Sequence, residues 1–417
     1  PPIEVSAINI SCAACHAAPK YGRDGKPDDQ VAVLGRPNTA LDLEGFTRHT
    51  YRALKAAFAD RAAFSAAMAR LFPDMGWRER LTLNWLVLPR AAARIAALSD
   101  SYDRPLPFPN GAPGLTNGVA ALKSRLGLLP VDRYTDGAGF VSIPDIADRG
   151  FRSSFLADGA YAIKGEQRFR PINRDEARAR TPRRVAELAS FFMVPSMGLT
   201  PERAATAVPE LSQVVSFLGE TRALRFPGTV DMARATEGRD IYARDCASCH
   251  GTYDDSVATP QLLSFPNWAG SVGTDTSRRD AFDAGLARAV AGTLHGRLYF
   301  DAKSTGKTVA PILTGLWSSA PYLTNGSVPT LRHLLKPETR PARFMVGGHL
   351  LDFEAVGIAG ALGEDGVRRY PVGYKPYSTP VMIDTAKPGL SNRGHTREVE
   401  HLTADERTAL IEFLKLL

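Results

Sequence analysis

The sequence predicts a mainly α chain of two related halves, the first enlarged by a helical insertion, with long loops and little sheet. Three observations carry this expectation. Cys-x-x-Cys-His occurs twice, at Cys12, Cys15 and His16 and again at Cys246, Cys249 and His250, and these pentapeptides use every cysteine of the 417 residues. A loop recurs, "PDIADRGFRSSFLADG" from Pro144 and "PILTGLWSSAPYLTNG" from Pro311, aligning Phe155 with Tyr322, Leu156 with Leu323, Asp158 with Asn325 and Gly159 with Gly326. The C-terminal stretch "LTADERTALIEFLKLL" repeats apolar residues at Leu410, Phe413, Leu414 and Leu417, a helical stripe.

The pentapeptides admit three chemistries. A disulfide scaffold belongs to small cysteine-dense domains, and four cysteines are too few for this length. Zinc needs four convergent ligands and gives no reason for a histidine directly after each second cysteine. Haem supplies that reason: two thiols bond the vinyl groups on one edge, and the adjacent imidazole reaches the iron. Two covalent haem c groups are therefore expected, with His16 and His250 as axial ligands.

Composition narrows the class. Hydrophobic content of 44 % and charged content of 23 % are ordinary for a globular protein, and the length allows two or three domains. No run of 18 apolar residues occurs, so no membrane span is expected. Covalent haem attachment takes place outside the bacterial cytoplasm, so a periplasmic or secreted location is expected, with Pro1 following a removed leader. The net charge of +7 and pI near 9.3 suit an acidic redox partner. The basic residues are scattered and no nucleic-acid motif accompanies them.

In chain order, the first half (1–227) holds "CAACH", then an Ala-, Leu- and Arg-rich insertion at about 60–140 that reads as two or three helices. Trp77 and Trp85 lie there, as core residues by default and as a wall over the first haem by the functional alternative. Leu211, Val214, Val215 and Leu218 form a helical stripe, and Pro227-Gly228 break it into the second half (228–417). "ATEGRDIYARDCASCHG" reads as a helix entering the second haem motif. Thr403 and Glu406 form a capping-box pattern at the start of the last helix. These two helices resemble the crossing pair of class I cytochromes c, with Gly238 and Tyr242 facing Phe413.

"GLWSSAPYLTNGSVPTLRHLL" (315–335) resembles the motif after the second haem site in the di-haem cytochrome c peroxidase and MauG superfamily. "GRPNTALDLEGF" (35–46), "DTAKPGLSNRGH" (384–395) and the terminal helix are most similar to its rubber-oxygenase-like branch. The resemblance implies two cytochrome-c-like haem domains, one handling peroxide or dioxygen and the other relaying electrons. The first half departs from ordinary bacterial peroxidases: it lacks their glycine-rich stretch after the haem motif, and no distal acid can be placed in it.

A second axial ligand decides what each iron can do. For the second haem the candidates are His295, His333, His349, His395, His401, Met345 and Met382. His395 leads, because it follows the turn-forming "PGLSNRG", precedes the terminal helix and matches the ligating histidine of the rubber-oxygenase branch. Met382 would give a His/Met haem. His295 and His333 read as surface or capping residues, and His349 as part of a turn. Beside His16 the first half offers only His49, read as a solvated or packing residue, with a distal ligand or acid/base role as the alternative. Met68, Met75, Met193 and Met197 read as core fillers. Trp317 reads as a packed loop residue, with assistance to electron transfer as the alternative. The expected function is a di-haem oxidoreductase whose haem on His16 is open to a small oxidant, peroxide or dioxygen, and to an apolar organic substrate. The rival is an electron carrier with both irons saturated.

Overall fold

A computed structural model describes residues 10–417 except 103, 131–132, 137–138, 222–223, 257–258 and 377. Pro1 lies outside the described residues. Helices dominate, as the pattern predicts, and what sheet there is comes in short pieces.

The second half is organised by one helix crossing. Met232–Asp245 starts at Asp231, whose side chain accepts from the Arg234 N–H. Ala404–Leu414 starts at Thr403 with the full capping box, Thr403 N–H to Glu406 Oε2 and Glu406 N–H to Thr403 Oγ1. The helices touch where Gly238 meets the Ala409 backbone, and a Cβ on Gly238 would fall 2.0 Å from Ala409 O. One turn on, Tyr242 packs on Phe413 with ring centres 5.2 Å apart. Gly238→Ala should therefore force the helices apart and cost about 3 kcal/mol, since overpacking against rigid backbone finds no relief. Urea unfolding of the haem-loaded chain measures it, and a loss within 0.5 kcal/mol would contradict the contact, on the scale of an ordinary surface change.

The repeated loop folds the same way twice. Phe155 bridges Tyr161, and Tyr322 bridges Val328 at the equivalent place. Leu156 and Leu323 both take left-handed backbone (φ 70° and 65°), as do Gly159 and Gly326 (65° and 64°). One 3₁₀ turn follows Asp148 and its counterpart follows Gly315. The latter loop is pinned by the Gly315 N–H donating to Leu417 O at 2.7 Å.

Three findings differ from the sequence expectation. A four-stranded sheet orders 361–362, 367–369, 343–346 and 381–384, and Met345 pairs with Met382 in it. Its strands are two to four residues long, too short to show a period. Helix Val208–Glu220 buries Leu218 but exposes Val214, and it packs on Pro182–Met197. Trp77 and Trp85 are not core residues: they are 68 % and 76 % exposed, on short helical turns whose neighbours bury nothing. A buried aromatic core forms instead where Tyr161 and Phe191 of the first half meet Phe282 and Phe300 of the second.

Candidate haem sites

Each Cys-x-x-Cys-His closes a short helical turn, Cys12–Cys15 and Ala247–His250, that sets the histidine ring beside its cysteines. None of the four cysteines is in a disulfide. His16 Nδ1–H donates to Pro144 O at 3.1 Å, and His250 Nδ1–H donates to Pro311 O at 2.9 Å. A carbonyl only accepts, so both rings carry the proton on Nδ1 and present the Nε2 lone pair outward. Burial holds both imidazoles down to about 4, which keeps them neutral and able to ligate at ordinary pH. The two accepting prolines begin the two copies of the repeated loop.

At the second site the structure brings the rings of His250 and His395 close together. Their ring centres are 6.1 Å apart and their planes inclined by 26°. Two metal–imidazole bonds of about 2.0 Å each, plus the distance from each ring centre to its nitrogen, span roughly 6 Å. The observed separation is of that size. The loop carrying His395 is fastened throughout. Asn325 Nδ2 donates to Gly389 O and Ser391 O, and Ser327 Oγ donates to Ser391 O. Arg340 donates to Asn392 O and Gly394 O, and the His395 N–H donates to Val272 O. Gly394, at φ 116°, has Thr274 where a Cβ would go, so no other residue fits. Burial, helped by the Arg340 charge, lowers His395 to about 4.

The first site has no such partner for His16 among the residues singled out. His49 is exposed on helix Leu43–Ala59. Asp158, the counterpart of Asn325, holds no ligand loop; it forms a buried ion pair with Arg278 at 2.7 Å.

The remaining candidates sit elsewhere. His333 caps its helix through Thr330, and His401 faces Asp245 at the surface. His349 takes left-handed backbone just after a bend. Met382 is 42 % exposed in the sheet. His295 is not a surface residue: it is fully buried between Phe191 and Tyr299. Trp317 is buried with Tyr21, Phe226 and Phe353 around it, and its Nε1–H donates to Leu224 O.

Sequence reasoning missed the residues that join the sites. Arg36 pairs with Asp145 at 2.5 Å, with its side chain almost wholly buried, and also reaches Thr314 O. Arg152 donates to Ala310 O. The loops behind His16 and His250 are thereby tied to each other, which holds the two sites at one separation. Arg36 lies in the "GRPNTALDLEGF" stretch; Asp145 and Arg152 carried no signal of their own.

This fold and these sites define a mainly α, cytochrome-c-like protein. A family model described as RoxA-like, cytochrome c-like matches residues 308–345, and one described as cytochrome c oxidase, cbb3-type, subunit III matches 233–291. Over these two segments the chain is similar to cytochrome c domains, one of them of the kind found in relatives of the rubber oxygenase RoxA. It is similar to two uncharacterized proteins of Sinorhizobium fredii. The protein y4iM is 29 % identical over 213 residues, 45 % of this chain and 46 % of that protein. The protein y4iJ is 28 % identical over 250 residues, 46 % of this chain and 40 % of that one. The chain therefore spans less than half the length of either relative. No helix among the described residues is long and apolar enough to cross a membrane.

Proposed function

We propose that the chain is an extracytoplasmic di-haem c-type oxidoreductase whose two irons differ in coordination. Cys12 and Cys15 hold one haem and Cys246 and Cys249 the other, with His16 and His250 as proximal ligands and His395 as the distal ligand of the second. The observation that carries the reading is the 6.1 Å His250–His395 pair, for which no counterpart at His16 stands among the described residues. When bound, a haem with an open axial position supplies binding and reduction of peroxide or dioxygen, and a saturated one supplies electron relay. Pro144 and Pro311 fix the tautomer and aim of the proximal rings. Arg340 and Asn325 hold His395 in place, so the second site excludes small ligands. Arg36, Asp145 and Arg152 keep the two sites in fixed register for electron exchange. The substrate class is a small oxidant together with an apolar organic molecule, and electrons pass to or from an acidic partner protein.

The test is an EPR and optical spectrum of the oxidised protein. A high-spin and a low-spin component in equal amounts is expected; low-spin signals alone would favour an electron carrier. Stoichiometry is a second check. The mass of the denatured chain should exceed 45.1 kDa by two haem groups. Replacing Cys246 and Cys249 by alanine should remove one of them and destabilise the second half, against whose core Cys246 packs. A chain carrying one haem, or zinc, would end the reading.

A further inference from the structure

Helices Arg61–Leu71, Trp77–Thr82 and Leu88–Tyr102, with the π turn Leu83–Val87 between the last two, form an arm that packs back on helix Leu43–Ala59. From Arg61 to Leu98 not one residue is buried. Yet the stretch is rich in large apolar side chains. Leu71, Phe72, Trp77, Leu81, Trp85 and Leu86 are each about half exposed or more. Trp77, Leu81 and Trp85 recur at four-residue spacing, which sets them along one side of the helix. A surface that exposes this many large apolar side chains within one arm marks an interaction site.

The charge says by what. Between Leu43 and Leu98 nine Lys and Arg stand against four Asp and Glu, so this stretch holds most of the chain's net +7. The cations are interleaved with the apolar stripe: Arg78 and Arg80 lie between Trp77 and Leu81, and Arg90 follows Leu86. Arg78 sits over the Trp77 ring at 5.2 Å, and Arg61, Arg70, Arg80, Arg90 and Arg94 are exposed. The fully buried centre of a protein–protein contact is depleted of charge, whereas here Arg78 and Arg80 stand directly among the apolar residues and Arg90 a turn beyond them. Arginine stems that lie along apolar surface while their heads stay wet, beside tryptophans, match the boundary between head groups and acyl chains.

We infer that the arm docks the protein on an anionic lipid bilayer, with Trp77, Leu81 and Trp85 entering the head-group boundary and Arg78, Arg80 and Arg90 meeting lipid phosphates. The inference does not rest on the state of either iron.

The test floats the full haem-loaded chain with vesicles of phosphatidylcholine alone or mixed with phosphatidylglycerol. At low salt the anionic vesicles should take up at least ~10-fold more protein, and added salt should reverse much of that, because surface attraction is screened. The triple variant W77S/L81S/W85S should lose uptake at least ~10-fold. R78Q/R80Q/R90Q should lose the preference for anionic vesicles. All six positions lie on this exposed arm, so both variants should keep the parent haem spectrum, which checks folding. No uptake at low salt, or uptake unchanged in the apolar variant, would overturn the inference. So would a dimer of the parent protein that the apolar variant dissolves in sedimentation, because the arm would then join copies of this chain.

Discussion

Replacing His395 by alanine converts the haem on His250 from low-spin to high-spin and raises its reduction potential. The imidazole that favours the ferric state is gone, and axial ligand identity sets haem potentials over a range of about 0.8 V. The remaining loop contacts run through backbone carbonyls of residues 389–394, so the variant keeps its fold and leaves a ring-sized gap opposite His250. Added imidazole should fill that gap and restore the low-spin signal, which a general loss of structure would not permit. His401→Ala should leave the spectrum alone, since His401 bonds Asp245 at the surface. Met382→Leu should also leave it alone, because Met382 stands in the sheet opposite Met345. The pH dependence has a definite sign. Burial lowers the free His395 ring to about 4, so protons compete weakly for its nitrogen and the low-spin signal should persist as pH falls to about 5. A low-spin signal that survives His395→Ala would remove this residue from the iron.

Signals confined to a few neighbouring residues were readable from the sequence. The capping box at Thr403, the glycine at the helix crossing and the turns at Asp158-Gly159 and Asn325-Gly326 each need only local chemistry, and each stands where expected. His395 stands out in the sequence because turn-forming residues precede it, the terminal helix follows it and it matches the ligating histidine of the rubber-oxygenase branch, and the structure sets it near His250. The misread positions depend on what lies across the fold. Trp77 and Trp85 look like core residues because large aromatics usually are, and nothing local says that no layer covers them. His295 follows a capping threonine and so reads as a helix-end residue, yet Phe191 reaches it from more than a hundred residues away. The Arg36–Asp145 pair and the Arg152–Ala310 contact join distant segments and have no spacing to detect. Strands of two to four residues cannot display alternation, so the sheet around Met345 was invisible.

Small ligands should separate the two sites by at least ~100-fold in affinity, with cyanide taking the haem on His16 and leaving the one on His250 unchanged. The expectation follows from what each copy of the repeated loop does. In the second copy Asn325 binds the backbone that carries His395, so a ligand entering there must displace a ring held by Asn325, Ser327 and Arg340. In the first copy the equivalent Asp158 instead pairs with Arg278. Displacing a tethered imidazole costs the metal–nitrogen bond, whereas an open iron loses at most a water. A hundredfold difference corresponds to about 2.7 kcal/mol, well within the strength of one such bond. His49→Ala should change neither affinity nor on-rate, because His49 points to solvent. Cyanide titration followed by EPR reads both sites at once: the high-spin signal should vanish while the bis-imidazole signal stays. If the oxidised protein is wholly low-spin and takes up no cyanide, even after partial reduction, both irons are saturated and the chain is an electron carrier. If cyanide binds slowly and His49→Ala speeds it, helix Leu43–Ala59 must swing His49 onto the first iron, and the asymmetry would lie in ligand lability rather than in ligand number.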